Sequence, residues 1–383
     1  MKPGLFNPGG GGPAPQDFLD RYWQKEPLLI RQAFPDFTPE LDENDIAGLA
    51  CEELAESRVI TGRFPEHDWK VRYGPFSATD FEHLGPENWT LLVQDVEKHY
   101  PPLQRLLDGF SFLPRWRIDD LMVSVAGPGG SVGPHVDQYD VFLLQAAGMR
   151  RWQISRSYDP TLLADCELNV LHTFTPEQEW VLEPGDMLYL PPGIAHHGVA
   201  VEQGMTWSVG MRAPSQADLF QSLGEWLAGS RDEGDRYSDA DLRVSVRPGE
   251  IDDSSIDRFR ALGSAFVGDP DAFTEFLGIF LSTYRLAHQP AAPDETLEPA
   301  GLSAALAGGA ELRHNPWTRL LWIDQGGQAS LFAGGSVQRC SPDLAAVVCD
   351  PAALRQAAGS LDDDGLAICC RLLNCGHLYL AGG

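Results

Sequence analysis

LMVSVAGPGGSVGPHVDQYDVFLLQAAGMRRW, residues 121–152, is the stretch from which the rest of the chain can be read. Short β-branched and aromatic runs flank a Gly-rich turn and predict strands at 120–126, 135–145 and 150–155. Side chains alternate along a strand, so His135, Asp137 and Tyr139 are expected on one face, with an imidazole and a carboxylate pointing together. Gly127, Gly129 and Gly130 read as a tight turn, and no Gly-Lys-Ser/Thr follows, which excludes a phosphate-binding P-loop. Asp120 and Ser124 share one parity of the first strand, as residues lining a wet pocket would and as residues facing solvent would too. Arg150 shares parity with Trp152 and Ile154 and is expected to point inward. A buried guanidinium needs a carboxylate partner, and a dicarboxylic co-substrate would supply one.

A distant partner, PGDMLYLPPGIAHHGVA at 184–200, gives a Gly-Asp turn, an apolar strand at 187–190, a Pro-Pro-Gly turn and then His196. Two histidines and one carboxylate on one face of a metal, with the other positions open, are the donor set of non-haem Fe(II) oxygenases. An H-x-D triplet alone is common by chance. Its position at a strand end, followed by several strands, P-G-D, P-P-G and a histidine, is the layout of a cupin-type double-stranded β-helix, which brings remote ligands together.

The 383 residues are 43% hydrophobic and 22% charged, the composition of a globular protein with room for two or three domains. No apolar run is long enough to span a membrane, and the N-terminus has no apolar core like that of a signal peptide, so a cytoplasmic location is expected. Seven cysteines without a C-x-x-C pair read as free thiols. The net charge of −27 argues against direct nucleic-acid binding and suits a basic partner.

Taken in order, residues 1–16 read as a flexible lead. A mixed α/β lead-in follows, with helices at 16–26, 38–56 and 88–99 and strands at 58–61 and 69–73. Further strands at 169–174, 179–183, 187–190, 196–201 and 205–212 complete a barrel, so that 17–212 is one domain. Residues 213–288 carry two Phe-rich helical blocks, one opened by Ser215 and one at about 256–286, on either side of an acidic linker at 229–255. They suggest a dimer interface, with packing onto the barrel as the alternative. After a Pro-rich acidic linker, the remainder of 289–383 alternates helices (301–308, 342–348, 351–358, 364–373) with strands (319–323, 328–332, 377–380), which fits a small winged-helix-like domain.

FLDRYWQKEPLLIR (18–31), YGPF (73–76), NWTLLVQ (88–94), WRIDDLMVS (116–124), SVGPHVDQYDVFLLQ (131–145), RRW (150–152), EPGDMLYLPPG (183–193) and SVGMRAP (208–214) together resemble the bacterial JmjC-type ribosomal oxygenases, the arginine 3-hydroxylases of large-subunit ribosomal protein L sixteen. The resemblance covers nearly the whole chain. It implies a JmjC barrel, a helical dimerisation segment, a winged-helix domain, and hydroxylation that depends on Fe(II), 2-oxoglutarate and O2. It implies His135, Asp137 and His196 as iron ligands and Arg150, assisted by Ser124, for the distal carboxylate of 2-oxoglutarate. Asp120, Tyr139 and Ser208 fall where the substrate arginine would lie. His197 departs from the family, which carries an acidic residue there. Two other readings stay open on the residues themselves: a metal-dependent cupin enzyme acting on a small molecule, and an inactive barrel serving as a scaffold.

Overall fold

The protein is described by a computed structural model, over residues 12–230, 236–240, 251–284, 286, 288 and 290–382. Most of the expected flexible lead and parts of the expected 229–255 linker lie outside the described residues. The chain divides into two compact units, Met1–Ala213 and Pro214–Gly383.

The first unit carries helices α1 (Pro15–Arg21), α2 (Glu43–Leu49), α3 (Ala78–Glu82), α4 (Val96–His99) and α5 (Gln104–Leu107). Its strands are β1 (Leu28–Ile30), β2 (Ser57–Thr61), β3 (Lys70–Tyr73), β4 (Trp89–Val93), β5 (Ile118–Ala126), β6 (His135–Val136), β7 (Val141–Ala147), β8 (Arg150–Ser155), β9 (Gln178–Leu182), β10 (Met187–Leu190), β11 (Ala195–Ala200) and β12 (Gly204–Met211). They form an eight-stranded sheet ordered β1-β10-β7-β12-β5-β4-β2-β3 and a four-stranded sheet ordered β6-β11-β8-β9. This is the expected double-stranded β-helix.

Alternation sorts the side chains into two layers. Leu121, Val123, Val125, Phe142, Leu144, Tyr189, Trp207 and Val209 leave the outer face of the large sheet and pack with Phe18, Ile46, Leu106 and Phe110 of the lead-in. Val141, Leu143, Leu188 and Leu190 leave its inner face and meet Trp152, Ile154 and Leu182 of the small sheet, which closes the barrel. The lead-in therefore covers one side of the barrel.

Several local expectations are corrected. Residues 88–99, read as one helix, form strand β4 and the short α4. Trp89–Val93 has ladder partners on both sides, β2 and β5, and that pairing outweighs helical spacing. The 38–56 helix is only α2, begun at Asp42, whose carboxylate accepts from Asn44 and Asp45 N–H. Residues 169–174 contribute an isolated bridge, Leu162 to Leu171, and no strand.

The second unit holds α6 (Gln216–Ser230), α7 (Asp253–Ala265) and α8 (Pro270–Thr283), then α9 (Pro299–Ala307), β13 (Glu311–His314), β14 (Leu320–Asp324), β15 (Ala329–Ala333), β16 (Ser336–Cys340), α10 (Pro342–Cys349), α11 (Pro351–Ala357), α12 (Asp363–Asn374) and β17 (Leu378–Ala381). The expected start at Ser215 is a reciprocal cap, Ser215 N–H and Oγ on Asp218 Oδ2 at 2.8 and 2.7 Å and Asp218 N–H on Ser215 Oγ at 3.1 Å. The 256–286 helix is two helices, because Asp269 caps α8 and Pro270 opens it. Phe266, Phe276 and Phe280 are buried with Leu223. Phe220 and Phe259, by contrast, stay 53% and 57% exposed. Strands β13 and β16 had no expectation; β13 pairs with the chain's last strand and β16 closes a three-stranded sheet with β14 and β15.

Candidate metal centre and substrate pocket

The strand expected to carry His135, Asp137 and Tyr139 together is broken. β6 ends at Val136, and residues 138 and 139 form a bend before β7. Asp137 stays beside His135 because its carbonyl accepts the Gly193 N–H at 2.8 Å, so the Pro-Pro-Gly turn pins it. His196 is brought alongside by pairing of β11 with β6, where it lies directly opposite His135. One donor atom from each of the three residues lies within 4.8 Å of the others. His135 Nε2 and His196 Nε2 stand 3.9 and 3.6 Å from Asp137 Oδ2.

The protonation pattern suits a metal. His135 Nδ1 lies 2.9 Å from Gly133 O and His196 Nδ1 3.0 Å from Ile194 O. A carbonyl accepts only from N–H, so each Nδ1 carries the proton and each Nε2 offers its lone pair to the cluster. Burial, with His135 nearby, pushes the His196 imidazole down to about 4 and keeps it neutral at physiological pH. A divalent ion that takes two imidazoles and a carboxylate fits this donor set.

β11 pairs with β8 on its other side, with His196 opposite Ile154, Gly198 opposite Trp152 and Ala200 opposite Arg150. These residues form the inner row. Arg150 and His196 are thus four positions apart on one face, about 13 Å at 3.3 Å per residue, with Trp152 between them. A Cβ on Gly198 would lie 2.6 Å from the Trp152 ring, so the glycine lets the indole lie across the strand. Arg150 is 4% exposed and forms no ion pair with any described residue; burial pushes it down to about 10. The buried Trp152 Nε1 also lacks a partner among the described residues. A carboxylate entering between Arg150 and the metal would satisfy what the fold leaves unpaired. Ser124 faces the interior from β5, buried, donating to Thr206 O at 3.2 Å. Thr206 and Gln145, which the sequence reading passed over, extend this polar row through Thr206 Oγ1 to Gln145 Oε1 at 2.9 Å. Their parity with Ser208 and Leu143 was the available signal.

Asp120 and Ser208 lie on the inner face of neighbouring strands, and Tyr139 sits on the bend beyond Asp137. Asp120 belongs to an acidic group that the sequence reading missed, because it hid inside the expected 88–99 helix: Asp95, Glu97 and Lys98 on α4 and the preceding turn. Lys98 bridges Asp95 and Glu97, and Asp95 N–H reaches Asp120 Oδ2 at 3.5 Å. Burial first, then the Asp119 and Asp95 carboxylates, push Asp120 up to about 7. Burial likewise lifts Glu97 to about 8, while its Oε2 accepts Leu121 N–H at 2.9 Å.

The JmjC domain family matches residues 105–219, and the ROXA-like winged helix family matches 262–379. The chain is 34% identical over 96% of its length to the ribosomal protein uL16 3-hydroxylase of Escherichia coli, 97% of which is covered. It is 37% identical to a probable ribosomal oxygenase of Haemophilus influenzae over 65% of this chain and 63% of that protein. The crystal structure of Escherichia coli YcfD aligns with a TM-score of 0.85 at 32% identity, covering 96% of this chain and 98% of the other. A structure of that ribosomal oxygenase with cobalt and 2-oxoglutarate aligns with a TM-score of 0.82 at 33% identity over the same shares.

Proposed function

This chain belongs to the JmjC-type ribosomal oxygenases, and we propose that it is a 2-oxoglutarate- and Fe(II)-dependent dioxygenase that 3-hydroxylates an arginine side chain of ribosomal protein uL16. The observation that carries this reading is the buried Arg150, with no counter-ion among the described residues, on the same inner row as His196. A cupin enzyme that uses no 2-oxoglutarate has no need of that unpaired charge, and a scaffold has no need of the three converging donors.

In this reading His135 and His196 bind Fe(II) through Nε2 and Asp137 through its carboxylate, and the carbonyls of Gly133 and Ile194 fix both imidazoles in the ligating tautomer. Bound Fe(II), with O2 and 2-oxoglutarate, supplies the oxidising power to hydroxylate an unactivated C–H bond, with succinate and CO2 as co-products. Arg150 holds the distal carboxylate of 2-oxoglutarate, with Ser124 assisting. The Asp120 carboxylate takes the substrate guanidinium in a two-oxygen fork, while Ser208 and Tyr139 border the same side chain and hold it in reach of the metal. The net charge of −27 gathers a basic ribosomal protein and opposes direct binding of nucleic acid. We place the reaction in the cytoplasm; no described helix is long and apolar enough to cross a membrane. We assign 17–212 to the oxygenase domain, 213–288 to a homodimer contact through exposed Phe220 and Phe259, and 289–383 to the winged-helix domain.

The test is a mass measurement on a uL16 peptide incubated with enzyme, Fe(II), 2-oxoglutarate and air. The expected result is a gain of one oxygen on arginine with succinate formed in step, both lost in Arg150→Ala. Metal-dependent turnover that ignores 2-oxoglutarate would favour the small-molecule cupin instead.

A further inference from the structure

Two arginines outside the metal centre join the backbone that carries Tyr139 to the backbone that carries Asp120. Arg117 donates from Nη2 to Asp140 Oδ2 at 3.0 Å and from Nε to Arg212 O at 2.6 Å. Arg212, 3% exposed, donates to Ile118 O, to Asp119 O at 3.1 Å and to Asp119 Oδ1 at 2.9 Å. Asp140 is fully buried and also accepts from Tyr189 OH at 2.6 Å and Gln24 Nε2 at 3.1 Å, while its carbonyl takes Met211 N–H at 2.9 Å. Between the two walls β12 slips register at Val209–Met211, and an added Cβ at Gly210 would stand 3.2 Å from Asp120 Oδ1.

We propose that Arg117 and Arg212 are positioning residues, a clamp that fixes the separation of the Tyr139 bend and the Asp120 strand at the width a guanidinium-bearing side chain requires. The proposal rests on the arginine-hydroxylase reading and adds what sets its substrate specificity. The two carboxylates the arginines hold are next to pocket residues, Asp140 beside Tyr139 and Asp119 beside Asp120, and the Arg117 Nε bond to Arg212 O joins the two arginines. Each arginine uses two nitrogens of one planar fork, a spread that a lysine ammonium cannot span. Neither arginine needs to touch the substrate. Their effect is on geometry, and a shift of about 1 Å in a reacting group costs on the order of a hundredfold in rate.

The experiment compares the full-length enzyme with Arg117→Lys, Arg212→Lys and the double variant, using the arginine peptide and 2-oxoglutarate as varied substrates. The clamp predicts that each single variant raises the peptide KM about tenfold or more and forms more succinate than hydroxylated peptide, with the KM for 2-oxoglutarate within about twofold of wild type. It also predicts a double variant little worse than the worse single one, since both act on one separation. Asp140→Asn, whose amide oxygen still accepts from Tyr189 OH while its NH2 replaces the oxygen that takes Arg117 Nη2 and Gln24 Nε2, must show the same split and stands in should Arg212→Lys fail to fold. Unchanged peptide KM and coupling overturn the clamp alone, as does a parallel rise of both KM values. A wild-type enzyme that leaves the peptide unmodified overturns the substrate reading, and the clamp with it.

Discussion

His196 and His197 are neighbours on β11, yet they leave opposite faces of the small sheet. His196 points into the barrel, its ring 4.2 Å from that of His135, whereas His197 points outward between Phe64 and Phe174 at 5.7 and 6.0 Å. Both are nearly inaccessible, at 2% and 6% exposure, so burial does not separate them; strand parity does. His196→Ala is expected to abolish stoichiometric Fe(II) binding, and His197→Ala to retain it at a modest cost in melting temperature. Metal content after gel filtration checks both, and iron lost only from His197→Ala would reverse the assignment.

Asp120→Asn keeps the shape of the pocket and removes its charge. Breaking one side of a buried charge pair costs about 3–5 kcal/mol, or about two to four decades at 1.4 kcal/mol per decade. The drop is expected in kcat/KM for the arginine peptide, while 2-oxoglutarate decarboxylation without peptide continues. A peptide with lysine in place of the arginine should fail with the wild-type enzyme, since a point charge cannot fill a two-oxygen fork.

The raised carboxyls on and beside α4 set a direction for pH dependence. Glu97 at about 8 and Asp120 at about 7 hold protons in the folded state that the unfolded chain releases near 4 to 4.5. Their stabilising share is therefore full in acid and is lost as pH rises through 7 to 8. Glu97→Gln mimics the protonated acid, and its amide oxygen can still accept Leu121 N–H. The variant should melt with the wild type near pH 4.5 and above it at pH 9, by about 2–4 °C for each kcal/mol relieved. Equal melting temperatures at pH 9 would show that Glu97 carries no such burden.

Phe220 and Phe259 stay more than half exposed on α6 and α7, although Tyr237 stacks on one side of the Phe259 ring at 4.6 Å. Light scattering at micromolar concentration is expected to give twice the 42.0 kDa chain mass, and Phe259→Glu to return the monomer. A wild-type monomer would assign those phenylalanines some other partner.

Much of the barrel was legible because its signals are local. Strands 150–155 and 187–190 were read to the residue, since alternation and the flanking Gly and Pro turns fix both ends. Arg150 was placed inward by parity with Trp152 and Ile154, and the buried guanidinium is where that parity puts it. The 88–99 segment failed for the complementary reason. Its apolar spacing suits a helix, and only the ladders with β2 and β5 make Trp89–Val93 a strand, a fact written in residues far from it. Losing that boundary also hid Asp95, Glu97 and Lys98.

By itself the sequence determined which atoms are available: two imidazoles, one carboxylate and an inward guanidinium, at strand positions whose parity is a property of any extended chain. Convergence was decided by the tertiary structure. His135 and His196 stand opposite each other because β6 and β11 pair although residues 137–194 lie between them. Asp137 joins them because the backbone bends after Val136 and hands its carbonyl to Gly193. Tyr139 leaves the expected line of the strand at that same bend, and Arg117 and Arg212 set its distance from Asp120. Hydrogen bonds between remote segments have no signature in local periodicity, so the pocket's width exists only once the barrel has closed.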